Sequence, residues 1–257
     1  MGQPACWIAG VALAGTVTLV LLDLLITRSG MVPWEFLREM FDLGVEGNVP
    51  TWFASVLWLL AAAASIACYL ADRRLSPSGT ASRIWLFMSL TFLYVSVDEV
   101  ATIHEEVGSF LKEQVRKHSL GGIVPFGSPD SPWIVFYLPI MLAFLGFMLV
   151  FLWRKLGARK WLKLALVLVV ECYLCAIALD YFQGLEPQVH RMVAYKLHAR
   201  PGHLVDATIV AEEALELVGT SVLIAVLTVC AQHALEALPG ASSGGGASDS
   251  SLPTGRG

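Results

Sequence analysis

The chain has 257 residues, of which 56% are hydrophobic and 15% charged, with a formal charge of -4. A soluble domain carries roughly a quarter charged residues, and the mean hydropathy here is +0.66. So small a charge, with no basic stripe interleaved with aromatics, excludes nucleic acid as a partner; the lipid bilayer is the partner this composition selects.

The apolar residues fall in blocks, and several blocks reach the roughly 20 residues that cross a hydrocarbon core about 30 Å thick. Six spans follow, at about 7–26, 51–71, 84–102, 132–153, 161–182 and 208–231. The first has no basic leader and no small-residue cleavage site before a polar start, so it reads as a retained helix. Met1-Gly2 with Cys6 lacks the Ser or Thr of the myristoylation pattern. Between the first two spans, residues 33–43 read as a short amphipathic helix in the membrane surface. Trp34, Phe36, Leu37, Met40, Phe41 and Leu43 cover one half of its wheel, and Glu35, Arg38, Glu39 and Asp42 the other. After the third span, residues 104–118 (HEEVGSFLKEQVRKH) are expected to continue as helix beyond the bilayer. The tail, 239–257, is of low complexity and is expected to be disordered. The expected fold is therefore all-α: residues 1–238 form a polytopic bundle of about six transmembrane helices with one short interfacial helix.

Trp7, Trp52, Trp85, Trp133, Trp153 and Trp161 lie at span ends, where the indole favours the headgroup region. Residues 72–83 carry Arg73, Arg74 and Arg83; residues 154–163 carry Arg154, Lys155, Arg159, Lys160 and Lys163. Both loops lie on one side of a six-span chain. The positive-inside rule then places both termini in the cytoplasm of a cell whose inner membrane the chain crosses. The cysteines Cys6, Cys68, Cys172, Cys175 and Cys230 lie in or beside apolar blocks, which argues against a disulfide framework. Cys172 and Cys175 make a CxxC in mid-span with no βαβ context, and packing is its expected role.

Ionisable groups inside spans are costly and mark functional-site candidates. Here they are Asp23, Asp98, Glu99, Glu171, Asp180, Glu212, Glu213 and Glu216, with His104, Glu105 and Glu106 just beyond the third span. At 1.5 Å per residue, Asp98 lies about 22 Å from Arg83, Asp180 about 26 Å from Lys163, Glu216 about 26 Å from His233 and Asp23 about 24 Å from Trp7. Four helices thus bring carboxylates to one outer quarter of the core. Glu171, about 12 Å from the basic side, stands apart. Glu212, Glu213 and Glu216 share one helical face, as do Asp98 and Glu105 on a straight helix, where His104 would point elsewhere. Clustered carboxylates at this depth require shared protons or a cation.

Three roles compete for these residues. One is a hydrogen-bonded structural network. A second is a divalent metal site, with Glu212, Glu216, Glu105 and His104 as ligands and His190, His198 or His203 as further nitrogen donors. Glu213 would then be general base, with Asp98 beside it, for hydrolysis of a lipid-like substrate. The third is proton- or cation-coupled transport, in which Asp98 or Glu213 exchanges its proton and Asp180, Asp23 and Glu99 complete the polar site.

The segments EGNVPTWF (46–53), DEVATIHEE (98–106) and EEALELVG (212–219) together resemble an uncharacterised group of bacterial multi-pass membrane proteins. That resemblance implies a fold and no particular activity. A looser similarity, to the zinc-dependent membrane hydrolases related to alkaline ceramidase, implies Asp and His ligands near one membrane face. The paired late histidines of that group have no counterpart, since His198 and His203 are five apart.

Overall fold

A computed structural model describes residues 3–76, 79–117, 132–185 and 187–238. At residues 3–6, 105, 111, 112, 115, 116 and 132–136 it describes the backbone alone. The expected tail lies outside the described residues. All regular structure among those residues is helical: α1 (Gln3–Leu22), a π-helical turn (Asp23–Arg28), α2 (Glu35–Phe41), α3 (Val49–Leu75), α4 (Thr80–Ala101), α5 (Ile103–Lys117), α6 (Pro132–Lys155), α7 (Lys160–Gln183), α8 (Pro187–Lys196) and α9 (Pro201–Glu236). Six of these segments are long and apolar enough to cross a membrane, as the sequence led us to expect. The chain is a multi-pass membrane helix bundle.

The helix ends obey local chemistry. Asn48 caps α3, its Oδ1 accepting from the Thr51 amide at 3.3 Å, and Pro50 occupies the first turn, where a missing N–H costs nothing. Pro201 starts α9 in the same way. α9 consequently begins earlier than the expected span, and at 36 residues it is about 54 Å long, well beyond the apolar core. His203 therefore stands on a helix instead of in a loop, and α8 occupies part of the expected loop between the last two spans.

α9 is the centre of the bundle: 61% of its apolar stretch is buried, against 17–28% for the other five. α1, α3 and α7 pack around it, and α4 packs on α3. Small residues bring these helices close. Ser55 and Ser96 donate reciprocally to each other's carbonyl oxygens, at 2.7 and 2.8 Å, and Ser89 donates to the carbonyl of Ala62 at 2.9 Å, which zips α3 antiparallel to α4. In hydrocarbon, association without a hydrophobic driving force depends on such close packing and on interhelical hydrogen bonds. Gly219 on α9 meets Cys172 on α7, where an added Cβ would lie 3.1 Å from the cysteine Cβ. Phe92 of α4 joins Trp58 of α3 and Phe144 of α6, with ring centroids at 5.6 and 5.9 Å.

One end of the bundle carries the basic residues. There Asp72 accepts from the Lys155 ammonium at 2.7 Å and from the Trp85 indole at 3.0 Å, tying α3, α4 and α6 together. Trp85 lies near a span end as expected, but it faces into the bundle. It is 2% exposed, because an acceptor inside the bundle satisfies its N–H. Trp7, Trp52, Trp153 and Trp161 are exposed, and the side chain of Trp133 lies outside those described.

Candidate functional site

At the opposite end, the C-terminal halves of α4 and α7 meet the N-terminal half of α9. Glu99, Asp180, Glu212, Glu213 and Glu216 come from these three helices, and each is packed among helices while keeping some accessible surface. The charges of Glu213, Glu99, Glu212 and Asp180 all act on Glu216. Glu213 feels Glu212, Glu99, Asp180 and also Glu46, from the segment that leads into α3. Of the acids expected to converge, Asp180, Glu212, Glu213 and Glu216 lie within electrostatic reach of one another, and Glu99, expected only on the flank of Asp98, joins them.

Neutral donors hold the rim of this cluster. The Trp58 indole N–H donates to Glu99 Oε1 at 3.1 Å, and the Gln183 amide donates to Glu212 Oε2 at 2.5 Å. Tyr173 stacks on Trp58 with centroids 5.9 Å apart, and its hydroxyl meets the Thr220 hydroxyl at 2.6 Å. Thr220 in turn donates to the Glu216 carbonyl at 2.8 Å. Within the described residues, the carboxylates of Asp180, Glu213 and Glu216 make no hydrogen bond and no ion pair. Glu46, Trp58, Tyr173 and Gln183 were missed by sequence reasoning. Trp58 did carry a signal, as a tryptophan in mid-span away from both headgroup regions.

The straight continuation of α4 into α5 is corrected. α4 stops at Ala101, Thr102 takes a left-handed conformation (φ 49°), and α5 starts anew at Ile103. This break turns His104 back onto Asp98: Oδ1 accepts the His104 amide at 2.9 Å and Oδ2 meets Nδ1 at 2.9 Å. Asp98 thereby caps α5 and orients an imidazole whose charge would act on Glu99 and Asp180. The expectation that Asp98 and Glu105 share a face rested on a straight helix, which the break at Thr102 interrupts. The Glu105 side chain itself lies outside those described.

Asp23 does not join the cluster. It is completely buried, accepting from the Leu43 amide at 3.2 Å and from Arg28 Nε at 3.4 Å. The π-helical turn, with its wider i to i+5 repeat, stacks Arg28 above Asp23 five residues earlier. Arg28 continues to Asp42 at 2.8 Å and to Asp206 at 3.6 Å, so this knot joins α1, the approach to α3, and α9. With a guanidinium at hand, Asp23 had no reason to seek the other acids.

Among the expected metal ligands whose side chains are described, Glu212, Glu216 and His104, no assembled site is found. Among the described residues no three His, Cys, Asp or Glu side chains are set to hold an ion. His104 Nδ1 is engaged by Asp98 and Glu212 by Gln183. Of the other histidines, His190 is bonded to the Phe182 carbonyl at 2.8 Å, and His198 and His203 are exposed. The CxxC does not pair either: Cys172 is buried against α9, while Cys175 faces out of the bundle. Glu171 also faces out.

Residues 8–231 match a family described as a domain of unknown function, DUF8692. The chain belongs to the DUF8692 family. The matched region covers all but the outermost residues of the six spans and holds every acid of the cluster. No curated protein and no solved structure matches this DUF8692 chain.

Proposed function

We propose that this DUF8692 protein is a membrane transporter in which the acidic cluster exchanges a proton, or a small cation, as a solute passes. One observation carries the reading. Asp180, Glu213 and Glu216 lie within electrostatic reach of one another and of Glu99, and among the described residues none of the three accepts a hydrogen bond or pairs with a lysine or arginine. A carboxylate in a low-dielectric interior is stable only with a proton or a cation, so such a group is a natural carrier of either. A cleft of about 330 Å³ opens between α8 and α9 beside Pro187, His190, Arg191 and Val205. His190 is anchored on Phe182, next to the Gln183 that holds Glu212. Metal-assisted hydrolysis is the weaker reading, because the ligand set it requires is not brought together among the described residues.

For orientation, the end bearing Arg73, Arg74, Arg154, Lys155 and Arg159 is assigned to the cytoplasm of a cell whose inner membrane holds the protein. The acids then lie toward the outer face.

The experiment is reconstitution in liposomes loaded with a pH-sensitive dye, under an imposed ion gradient and with candidate solutes. Proton or cation flux is expected from the native chain, with loss on Glu213→Gln and Glu216→Gln. Equal flux in the native and doubly substituted chains would overturn the proposal. So would a stoichiometric metal that survives purification and is lost with Glu213→Gln.

A further inference from the structure

We propose that α7 pairs in parallel with α7 of a second copy of this chain, across a two-fold axis along the membrane normal, with Glu171 setting the register. Among the described acids within apolar stretches, Glu171 is the one exposed in mid-helix. It lies about 17 Å from either end of α7, at the depth where lipid offers no hydrogen bond. No hydrogen bond or ion pair engages it among the described residues.

Its surroundings have a second, independent regularity. Leu164, Leu168, Glu171, Cys175 and Ala178 are all exposed and are spaced alternately four and three apart. This spacing is the d/a/d/a/d seam of a left-handed helix pair, with Glu171 at its central d position and Leu168 and Cys175 at the flanking a positions. Cys175 and Ala178 are small enough for backbones to approach. Copies of one chain inserted with the same topology present this seam in parallel and at equal depth. A two-fold axis therefore sets Glu171 against its own mate, the two carboxyl groups bonding through a shared proton. A second copy is thus the occupant whose chemistry matches without any further assumption.

Cys175 supplies the test. Its neighbours in sequence chemistry, Cys68, Cys172 and Cys230, are buried, so a Cys6→Ala background leaves it the accessible thiol. Oxidation of the full chain in membranes with copper phenanthroline is expected to give a disulfide-linked dimer that Cys175→Ala abolishes. Leu90→Cys in a Cys175→Ala chain, on the exposed face of α4, reads random collision and is expected to crosslink far less. Glu171→Leu should lower the dimer fraction roughly three- to tenfold, whereas Glu171→Gln, whose amide can pair with its own mate, retains it. Ala178→Trp, a wedge in the seam, should lower it similarly and serves as the second variant. The proposal falls if Cys175 crosslinks no better than position 90, if Cys175 links to a different protein, or if both Glu171→Leu and Ala178→Trp leave the dimer unchanged.

Discussion

Asp98 and His104, six residues apart, meet twice: through the histidine's backbone N–H and through its ring, each at 2.9 Å. The contact exists because Thr102 adopts φ 49°, a conformation costing a residue with a Cβ about 1–2 kcal/mol. The carboxylate caps α5 at the point where the chain leaves α4, so one aspartate both ends a membrane helix and starts its successor.

Thr102→Gly removes the steric cost and is expected to stabilise the protein by about 1 kcal/mol after its own entropy loss. Asp98→Ala removes the cap and is expected to destabilise it by about 1–2 kcal/mol. Thermal unfolding in detergent checks both, and a Thr102→Gly chain that melts well below the native one would refute the strain argument.

Arg28→Met should be among the most damaging single changes. It leaves Asp23 buried with only the Leu43 amide, and the expected cost is about 2–3 kcal/mol. That is below the 3–5 kcal/mol of a fully buried pair, because Arg28 is 24% exposed. Asp23→Asn combined with Arg28→Met should recover part of the loss. A double variant as unstable as the sum of the singles would show that the two residues do not act as a pair.

Two glycines in transmembrane helices should answer to substitution with opposite signs. A Cβ at Gly219 would press on Cys172 at 3.1 Å and on Tyr173, so Gly219→Val is expected to cost about 1–3 kcal/mol by forcing α7 from α9. Gly146 meets open space, and Gly146→Ala should be neutral or stabilise by up to about 1 kcal/mol. Denaturant titration in mixed micelles distinguishes the two.

Trp58→Phe preserves the ring packed against Phe92 and Tyr173 but removes the donor to Glu99. A stability loss of about 1 kcal/mol is expected. Proton flux should fall by more than that loss of folded protein explains, since Glu99 acts on Glu213 and Glu216. Flux normalised to folded protein decides it, and an unchanged value would detach Trp58 and Glu99 from transport.

The sequence by itself determined the membrane bundle, the number of spans, the surface helix and the end of the bundle at which acids gather. Apolar length and charge placement are local properties, and the bilayer converts them directly into helices and ends. It also determined that Glu212, Glu213 and Glu216 share a face, because helical periodicity requires it. Only the tertiary structure decided which acids are partnered. Asp23 is claimed by Arg28 through a π-helical turn that no residue pattern announced. His104 is claimed by Asp98 through a left-handed threonine, in place of the straight helix that periodicity implied. The remaining acids meet because α9 runs through the centre and α4 and α7 both end beside it. Depth along a helix is counted from sequence, but which helices are neighbours depends on small side chains such as Ser55, Ser96 and Gly219 meeting face to face. That is why the acidic end was legible from the start, while its membership, with Glu46, Trp58 and Gln183 added and Asp23 removed, was not.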